Sequence, residues 1–524
     1  MTSGYGLFGT DSDSLLERLR VAAAGDPAAV AVVDSLGASF TRRQLLEQAA
    51  SVGQVLRGAG AGPGDPIVLA LHNSAFWEVA FVACLLVEAV PATLPLASDA
   101  VSVAHACRLV GARILVTPAE DRVSAWSLSD VVSSVEQRVA LVECADDGRF
   151  ALRADAAAAP LPRPGSLEGM AHVMFTSSTT GLPKAVGHTD RSLAAVNRGF
   201  AGRFSLGPGT PIFMASPLGH SVGAWHGVRL SLFVGSPLVL QHRWQAAEAV
   251  ELIERYECRF TAAATPFLLD LVDAVEKGAP VPRSLETFLC GGAPVPPSLL
   301  ERARRALPKT FTTVLWGMTE GGVTTCLPTD SVDRVIGTAG VGLPGLEMAA
   351  VGPDGRRLAS GEEGEIAMSG PGVFATYVGQ PELHRDSLTP EGWFRTGDLG
   401  FVDDDGYLHL SGRLKDLIIR GGVNISPLPV EEAIAAHPKV RHVAVLGYPD
   451  ERLGERIGAV VVPEGTGPTL GELVSWCSDA GLPKRWLPER LWLVEAMPTT
   501  AAGKVRKAVL RLRLEDEVSS EPSP

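Results

Sequence analysis

The stretch from Phe175 to Lys184 reads Phe-Thr-Ser-Ser-Thr-Thr-Gly-Leu-Pro-Lys, and it begins inside the apolar run Val173–Thr176. A predicted strand therefore ends in a row of hydroxyl side chains, followed by a glycine, a proline and a lysine. Such a loop offers backbone N–H groups, hydroxyl donors and one ammonium group to a chain of phosphates. It lacks the G-x-x-x-x-G-K-[ST] spacing of a Walker loop, and a Ser/Thr turn without a ligand stays an open alternative for this stretch alone.

On both sides of this loop, from about residue 15 to 330, short apolar runs alternate with segments of helical spacing. The predicted strands are Ile67–Leu71, Arg113–Thr117, Val139–Val142, Val173–Thr176, Ile212–Ala215, Phe260–Ala264, Thr287–Cys290 and Thr312–Trp316. The predicted helices are Thr41–Arg57, Ser74–Val90, Gln245–Tyr256 and Pro297–Ala306. This alternation is typical of an α/β fold with largely parallel sheets buried on both faces.

The pattern changes past residue 335 to short strands and Gly-rich turns, which predicts a β subdomain. A small mobile α+β module follows, with helices near Pro429–Ala436 and Leu470–Asp479 and strands at Val443–Leu446 and Ile457–Val462. We therefore expect a large N-terminal domain over residues 1–412, a hinge over 413–416, a small C-terminal domain over 417–513 and a disordered acidic tail over 514–524.

Composition limits the classes of function. The 524 residues are 46% hydrophobic and 20% charged, as expected of a globular protein with more than one core. A net charge of -13 argues against a nucleic-acid-binding protein, although a local site can still bind a small anion. The first 13 residues lack a signal-peptide pattern, and the most apolar segment, Val79–Val87, is too short for a membrane span. These features predict a cytoplasmic protein.

Several short blocks follow the hydroxyl-rich loop in the chain. They are Pro217-Leu218-Gly219-His220, Gly291-Gly292-Ala293, Trp316-Gly317-Met318-Thr319-Glu320, Arg395-Thr396-Gly397-Asp398-Leu399, Gly412-Arg413-Leu414-Lys415-Asp416, Gly421-Gly422 and Pro498-Thr499-Thr500-Ala501-Ala502-Gly503-Lys504. In this order, the blocks resemble those of the superfamily of acyl- and aryl-CoA synthetases, peptide-synthetase adenylation domains and firefly luciferase. The family's phosphate loop reads T-S-G-T-T-G-x-P-K-G, where this chain reads T-S-S-T-T-G-L-P-K-A. The resemblance covers nearly the whole chain.

The resemblance implies ATP-dependent activation of a carboxylic acid as an acyl-AMP with release of pyrophosphate, followed by transfer to coenzyme A. The implied cofactors are ATP and Mg²⁺, with coenzyme A as a co-substrate. The implied partners are a small-molecule acid and a thiol acceptor, and a carrier protein is an alternative acceptor. The resemblance says nothing about the oligomeric state.

It also implies roles for individual residues. Thr176, Ser177, Ser178, Thr179, Thr180, Gly181 and Lys184 would bind phosphates. Gly291, Gly292 and Ala293 would lie beside adenine, and Trp316 would stack on it. Asp398 would accept the ribose hydroxyls, and Gly317, Met318 and Arg413 would also bind the cofactor. The implied catalytic residues are Lys504, Thr319, Glu320 and His220. Glu320 suits Mg²⁺, a hard cation usually held by few carboxylates together with phosphates. Lys504 would stabilise charge on the transferring group.

The resemblance further implies that Lys415 absorbs a rotation of the C-terminal domain. One orientation would bring Lys504 to the site, and the other would bring Gly421 and Gly422, whose missing side chains leave a channel for pantetheine. Two departures from the family pattern stand out: Ser178 and Ala185 replace glycines. If the first of those glycines requires a positive φ, Ser178 would be strained there or the loop would be rearranged.

An alternative from another class rests on Gly219-His220-Ser221-Val222-Gly223, a G-x-S-x-G sequence after a predicted strand. In an α/β-hydrolase, Ser221 would be the nucleophile, with Asp398 and either His409 or His437 as its partners. This hypothesis leaves the phosphate loop, the Arg395–Leu399 block and the Lys504 loop without a role. A non-catalytic binding protein would equally leave the set Glu320, Asp398, Arg413 and Lys504 unexplained.

Within the superfamily, activation of amino acids is disfavoured, because Pro217–Gly223 lacks the aspartate that pairs with an α-ammonium group. The terminal block also reads Gly503-Lys504-Val505-Arg506-Lys507 rather than Gly-Lys-x-Asp-Arg. Enzymes that adenylate another small oxyacid, such as nitrous acid with an arylamine acceptor, stay an open alternative. The identity of the acid cannot be derived from the sequence; His220, Trp225 and Met318 are the candidate pocket residues.

Overall fold

The computed structural model describes residues 12–119, 139–153, 167, 169–176, 182–500 and 504–520, with side chains up to Leu514. The phosphate-loop predictions for Ser177, Ser178, Thr179, Thr180 and Gly181 lie outside the described residues, as do Ala501, Ala502 and Gly503 of the lysine loop. Everything that follows concerns the described part of the chain.

The helices, in chain order, are α1 (Leu15–Gly25), α2 (Arg42–Gly58), α3 (Ala75–Leu86), α4 (Ala100–Val110), α5 (Asp190–Arg203), α6 (Ser221–Gly223), α7 (Leu230–Val234), α8 (Ala246–Arg255), α9 (Thr265–Glu276), α10 (Pro297–Ala306), α11 (Val332–Gly337), α12 (Pro381–Asp386), α13 (Leu428–Ala435), α14 (Leu470–Asp479) and α15 (Lys507–Ser520). A π-helix, Ala224–Arg229, joins α6 to α7. Short 3₁₀ turns occupy Leu414–Asp416 and Lys484–Trp486.

In chain order, the first sixteen strands are β1 (Val30–Asp34), β2 (Ser39–Thr41), β3 (Pro66–Leu69), β4 (Val90–Thr93), β5 (Ile114–Pro118), β6 (Ala140–Cys144), β7 (Phe150–Leu152), β8 (His172–Phe175), β9 (Ala185–His188), β10 (Ile212–Met214), β11 (Leu238–Leu240), β12 (Phe260–Ala263), β13 (Thr287–Gly291), β14 (Phe311–Met318), β15 (Gly321–Thr325) and β16 (Val341–Gly342). The later strands are β17 (Glu347–Val351), β18 (Gly364–Ser369), β19 (Thr376–Tyr377), β20 (Phe394–Val402), β21 (Leu408–Arg413), β22 (Ile418–Arg420), β23 (Val423–Ile425), β24 (Val440–Asp450), β25 (Gly454–Pro463) and β26 (Arg490–Leu493).

Two large mixed sheets form the body of the molecule. One has nine strands in the order β16-β15-β14-β13-β12-β10-β11-β1-β2, and its six central strands, β14 to β1, run parallel. The other has eight strands in the order β19-β9-β8-β4-β3-β5-β6-β7, with β8, β4, β3, β5 and β6 parallel. Their apolar strands and the helices between them bury one extended core, as parallel sheets covered on both faces require.

Two smaller sheets follow along the chain. β17-β18-β20-β21 form an antiparallel sheet with its own core, and the last sheet pairs β23-β22-β25-β24, with β26 parallel to β25. The predicted α/β fold, with a β subdomain and a small α+β C-terminal part, is confirmed. None of the described helices is long and apolar enough to cross a lipid bilayer.

Two sequence-based boundaries are wrong. The helix predicted over Ser74–Val90 ends at Leu86, and Val90 instead begins β4 in the centre of the eight-stranded sheet. Both segments are almost entirely apolar, so periodicity could not separate a buried helix from a buried strand. At the other end of the chain, α15 continues to Ser520, so the disorder predicted from residue 514 is corrected to helix over 514–520.

Tight packing of backbone on backbone fixes the segment after β10. A Cβ atom added at Gly219 would lie 2.3 Å from the carbonyl carbon and oxygen of Leu94, and one at Gly223 would lie 2.3 Å from the oxygen of Pro217. Asn73 holds the same segment, because its Nδ2 donates to the oxygen of Ser216 (2.9 Å) and its Oδ1 accepts from the N–H of Leu218 (2.9 Å). The glycines of G-x-S-x-G therefore serve close packing.

We expect Gly219→Ala to lower the free energy of unfolding by about 1–3 kcal/mol, because the added methyl group has no room against the Leu94 backbone. Gly209→Ala is the matched control, since nothing lies within 4 Å of a Cβ at that position. Urea unfolding followed by fluorescence measures both. Equal stability of the two variants would contradict the packing argument.

Candidate active site

Loops at the carboxyl ends of the parallel strands bring the sequence blocks together. β8 leads to Thr176, β10 to the segment ending at His220, β13 to Gly292 and β14 to Glu320. Ligands of open α/β sheets bind at such an edge, where several loops meet outside the strand ends. Thr176 and Lys184 close the base of the hydroxyl-rich loop, since each backbone N–H finds a partner on the other residue (3.0 and 3.2 Å).

Lys504 enters this edge from the C-terminal part of the chain. A Cβ at Gly292, whose φ is +84°, would lie 3.8 Å from Cε of Lys504, so the lysine stem passes directly over this glycine. Gly291 is equally constrained, because a Cβ there would lie 1.9 Å from the oxygen of Leu315 on β14. The predicted block Gly291-Gly292-Ala293 thus combines tight strand packing with an approach route for Lys504.

The pKa of Lys504 is lowered to about 8. Burial is the largest cause, and the charges of Arg413 and Lys415 act in the same direction, whereas those of Asp398 and Glu320 act in the opposite direction. The group therefore carries its positive charge at neutral pH with only a small margin. A cation held this way gains strongly from any additional negative charge placed beside it. This geometry brings together Lys504, Glu320, Asp398 and Arg413, as the sequence blocks predicted.

Glu320 is buried and held from two sides. The hydroxyl of Tyr377 donates to its Oε1 (2.7 Å), and its backbone oxygen accepts from the N–H of Phe374 (2.9 Å). The second carboxylate oxygen has no hydrogen-bond partner among the described residues. Nζ of Lys184 lies 5.0 Å from the centre of the Tyr377 ring, so the lysine of the phosphate loop points to the same place.

The preceding residue, Thr319, is fixed by a histidine that the sequence did not single out. Nε2 of His188 donates to the backbone oxygen of Thr319 (2.8 Å), which assigns the proton to that nitrogen. Burial lowers the pKa of His188 to about 4, so the ring is neutral at physiological pH. His188 lies on β9 and is fully buried. Its role is to orient the Thr319–Glu320 segment.

Asp398 is a buried carboxylate with both oxygens engaged. Nε1 of Trp316 donates to Oδ2 (2.8 Å), and Nε of Arg413 lies 2.8 Å from Oδ1. The Trp316 ring itself packs in the core beneath the small antiparallel sheet. Its observed contact is therefore with Asp398, and stacking on adenine stays a prediction. Gly317 and Met318 continue the same strand beside it.

A second carboxylate shapes the turn that carries Asp398. Glu365 accepts from Nε of Arg395 (2.7 Å) and from the backbone N–H of Gly397 (3.0 Å). Thr396 adds a hydrogen bond to the oxygen of Ile366 (2.6 Å). Glu365 has no place in the sequence blocks, and its position 30 residues before Arg395 gave no signal.

His220 ends the block Pro217–His220, which resembles the family's acyl-site segment and is called by that name below, and it is buried. Its Nδ1 accepts from the backbone N–H of Val222 (3.4 Å). Burial lowers the pKa of His220 to about 3, and the charges of Lys504 and His226 act in the same direction. The ring is therefore neutral and has its Nε2 proton available to a ligand. Its electrostatic coupling to Lys504 places both residues at one site.

The chemistry of the donors fits one hard cation held by a single protein carboxylate. No group of three or more His, Cys, Asp or Glu side chains in the described ranges could hold a metal ion. Glu320 offers a carboxylate at this edge, near Lys504 and on the side of the Tyr377 ring where Lys184 lies. Magnesium ions are commonly held in this way, with the remaining ligands coming from phosphates and water.

The hinge residues lie between the two smaller sheets. Arg413 ends β21, and the 3₁₀ turn Leu414–Asp416 leads into β22. Gly421 and Gly422 are exposed in the turn that follows, with φ values of +60° and +79°. In the present orientation Lys504, rather than this turn, accompanies Glu320 and Asp398. Ala185 is a fully buried residue of β9, so its replacement of a glycine causes no strain.

The residues that the hydrolase alternative requires do not form a triad in the described structure. Asp398 is engaged by Trp316 and Arg413, and His409 pairs with Asp403 (3.0 Å). Nδ1 of His437 accepts from the N–H of Lys439 in the C-terminal part of the chain. Within the described residues, the side chain of Ser221 makes no hydrogen bond to a histidine.

Known proteins match this chain along most of its length. The AMP-binding enzyme family model matches residues 19–378, and the model for the AMP-binding enzyme C-terminal domain matches residues 429–504. A medium-chain fatty-acid–CoA ligase of Escherichia coli is 31% identical over 95% of this chain and 90% of its own. A feruloyl-CoA synthase of Amycolatopsis is 32% identical over 91% and 94%, and the pyochelin synthase PchD of Pseudomonas aeruginosa is 30% identical over 96% and 93%.

Solved structures also resemble this chain over most of its length. ATP-bound MatB of Rhodopseudomonas palustris superposes with a TM-score of 0.84 at 25% identity, covering 96% of this chain and 99% of that one. The apo form of MatB gives 0.72, so the arrangement here is nearer to the ATP-bound form. The amide bond synthetase McbA of Marinactinospora thermotolerans gives 0.81 at 27% identity, covering 95% and 100%. The chain therefore belongs to the AMP-binding enzyme family and is an AMP-forming ligase of the acyl-CoA synthetase type.

Proposed function

We propose that this enzyme uses ATP to convert a carboxylic acid into an acyl-AMP and then transfers the acyl group to coenzyme A. The observation that supports this most directly is the half-buried ammonium group of Lys504, which lies over Gly292 within the field of Glu320 and Asp398. A cation in that position can stabilise the negative charge that develops during transfer of an adenylyl group.

The described contacts suggest how the nucleotide binds. Asp398 would accept the ribose hydroxyls, Gly291 to Ala293 would lie beside the adenine, and Lys184 would meet the phosphates. Glu320 would hold Mg²⁺, which neutralises phosphate charge when it is bound. The bonds from Tyr377 and His188 keep the Thr319–Glu320 segment in one position, so that this charge pattern exists before the substrate arrives.

In the first half-reaction, a carboxylate oxygen of the acid would attack the α-phosphorus of ATP. A P–O bond would form, the bond to pyrophosphate would break, and pyrophosphate would leave with the electron pair. Lys504 would contact both the carboxylate and the α-phosphate, and the neutral His220 would donate a hydrogen bond from its Nε2–H to the carboxylate of the acid. Holding the two reactants together in this geometry accounts for much of such an acceleration.

In the second half-reaction, the thiolate of coenzyme A would attack the acyl carbon and AMP would leave. Rotation at Lys415 would withdraw Lys504 and bring the exposed Gly421–Gly422 turn to the site. A carrier-protein thiol or an amine could replace coenzyme A as the acceptor, and one solved neighbour is named an amide bond synthetase. Adenylation of nitrous acid stays an untested alternative for the first step.

We expect Lys504→Ala to abolish acid-dependent release of pyrophosphate while ATP binding changes little, because the lysine acts on developing charge. In the wild type, kcat/KM for adenylation should fall as the pH rises through about 8, since the ammonium group loses its proton there. Lys484→Ala, an exposed lysine of the C-terminal part, is the control. A near-normal rate in Lys504→Ala would remove this residue from the mechanism.

Asp398→Ala should weaken ATP binding by about 1.5–3 kcal/mol, the range for hydrogen bonds to a charged group. Trp316→Phe should weaken it less, by about 0.5–1.5 kcal/mol, because only one bond that orients Asp398 is lost. Trp492→Phe makes the same chemical change at an indole whose N–H has no described partner. Calorimetric titration with ATP measures all three variants, and an unchanged Kd for Asp398→Ala would refute the ribose assignment.

Lys415→Pro should separate the two half-reactions, because proline restricts φ at the hinge. The present orientation carries Lys504 at the site, so acyl-AMP should still form while transfer to coenzyme A fails. Lys415→Ala, which keeps the backbone free, should allow both steps. Single-turnover formation of labelled acyl-AMP, followed by its decay with coenzyme A, measures each step. Unimpaired thioester formation in Lys415→Pro would disprove the hinge.

A further inference from the structure

A buried arginine lies in the π-helix directly after the acyl-site segment. The side chain of Arg229 is 1% exposed, and its Nη2 lies 3.0 Å from Oδ1 of Asp190, a carboxylate whose side chain is 45% exposed. Its Nε and Nη1 have no hydrogen-bond partner among the described residues. Buried polar groups in native proteins nearly always find a partner, because leaving a donor unpaired costs free energy.

Arg229 shares a helix face with groups that touch the catalytic segment. Trp225, one turn earlier, packs edge-on against the ring of His188 with 4.6 Å between the centroids, and His188 donates to the backbone oxygen of Thr319. The charge of Arg229 acts on His188 too, where it adds to the effect of burial in lowering the pKa. The Arg229 guanidinium therefore lies on the same side of the helix as His188, whose ring holds the Thr319 backbone. Such π-helical turns occur often at functional sites.

The same helical run has a reacting end and a cationic end. His220 lies at the start of this run, and the charge of Lys504 lowers its pKa, whereas Arg229 is the last residue of the π-helix. Nine residue steps separate His220 from Arg229, a span of at most roughly 13 Å, because π-helical turns rise less per residue than the 1.5 Å of an α-helix. An acid whose carboxylate lies at His220 and Lys504 would thus direct its other end towards Arg229.

The surroundings of Arg229 leave its charge available. His172 and His188, the two histidines whose charges couple to it, both have their pKa lowered by burial first of all and are neutral at physiological pH. Asp190 engages one nitrogen from a half-exposed position. Two further buried donors nearby, Nε1 of Trp225 and Nδ1 of His172 in its N–H form, also lack a described partner. An apolar acyl chain would offer no hydrogen-bond acceptor to any of these donors.

We propose that the acid activated by this enzyme carries a second anionic group at the end distant from the reacting carboxylate, and that Arg229 binds this group. The proposal rests on the proposed adenylation of an acid and adds its substrate class: dicarboxylic acids or acids with a comparable terminal anion. Arg229 determines the choice of substrate and takes no part in the bond changes at phosphorus.

The test compares matched acids in an assay of acid-dependent pyrophosphate release by the wild-type enzyme. The pairs are butanoate with succinate, hexanoate with adipate, and 3-phenylpropanoate with its 4-carboxy derivative; succinamate serves as a neutral acceptor of the same length as succinate. For at least one pair, kcat/KM should be about 30-fold or more higher for the diacid, in the range expected when a site built to bond a polar group meets an analogue lacking it. Succinamate should fall below succinate.

Arg229→Met should remove this preference by raising KM for the favoured diacid about 30-fold or more, while the matched monoacid improves or stays unchanged. Arg259→Met, at an exposed arginine that also pairs with one carboxylate, should keep the wild-type preference. The wild-type comparison decides the question even if Arg229→Met does not fold. The absence of a diacid preference in all three pairs, or equal use of succinamate and succinate where succinate is the favoured diacid, would overturn the inference alone. If no carboxylic acid supports pyrophosphate release, the proposed function itself fails.

Discussion

The carboxylate of Asp398 is the interaction on which the arrangement of the site depends. A buried carboxylate needs strong partners, and its two oxygens find them on Trp316 and Arg413. Trp316 lies on β14 of the nine-stranded sheet, and Arg413 ends β21 just before the hinge turn. One charged group therefore ties the large sheet, the small antiparallel sheet and the start of the C-terminal part together. Moving any one of the three would leave a buried charge with a broken hydrogen bond.

This constraint also sets the position of Lys504. The lysine enters a site that already contains Arg413 and Lys415, whose charges oppose it, and only Asp398 and Glu320 favour its ammonium group. A polyanion reduces the electrostatic repulsion among cations that lie this close together, because each cation is stabilised by nearby negative charge. A triphosphate would therefore stabilise the orientation seen here, and loss of pyrophosphate would weaken it. In the proposed mechanism, this charge balance would favour departure of the C-terminal domain from the site after the first half-reaction.

The sequence predicted the fold well wherever a pattern is local. The parallel strands follow from short apolar runs, and α14 begins and ends as predicted, where Thr469 caps it through both bonds of a capping box. The blocks likewise led to Lys504, Glu320 and Asp398. Their partners could not be found in the same way. Tyr377 and His188 lie 57 and 131 residues from the residues that they hold, and nothing in their own neighbourhoods distinguishes them.

The acyl-site segment illustrates how one short pattern combines two constraints. Gly219 and Gly223 have no space for a side chain, and Asn73 fixes the backbone between Ala215 and Leu218, so the reacting end cannot move. The positions further along the helix carry side chains instead, among them Trp225 and Arg229. A scaffold of this kind can keep its chemistry while the acid changes, because the groups that choose the acid lie on a different part of the helix from those that hold His220. In this chain, the Arg229 donors that lack a hydrogen-bond partner among the described residues indicate where the acid is selected.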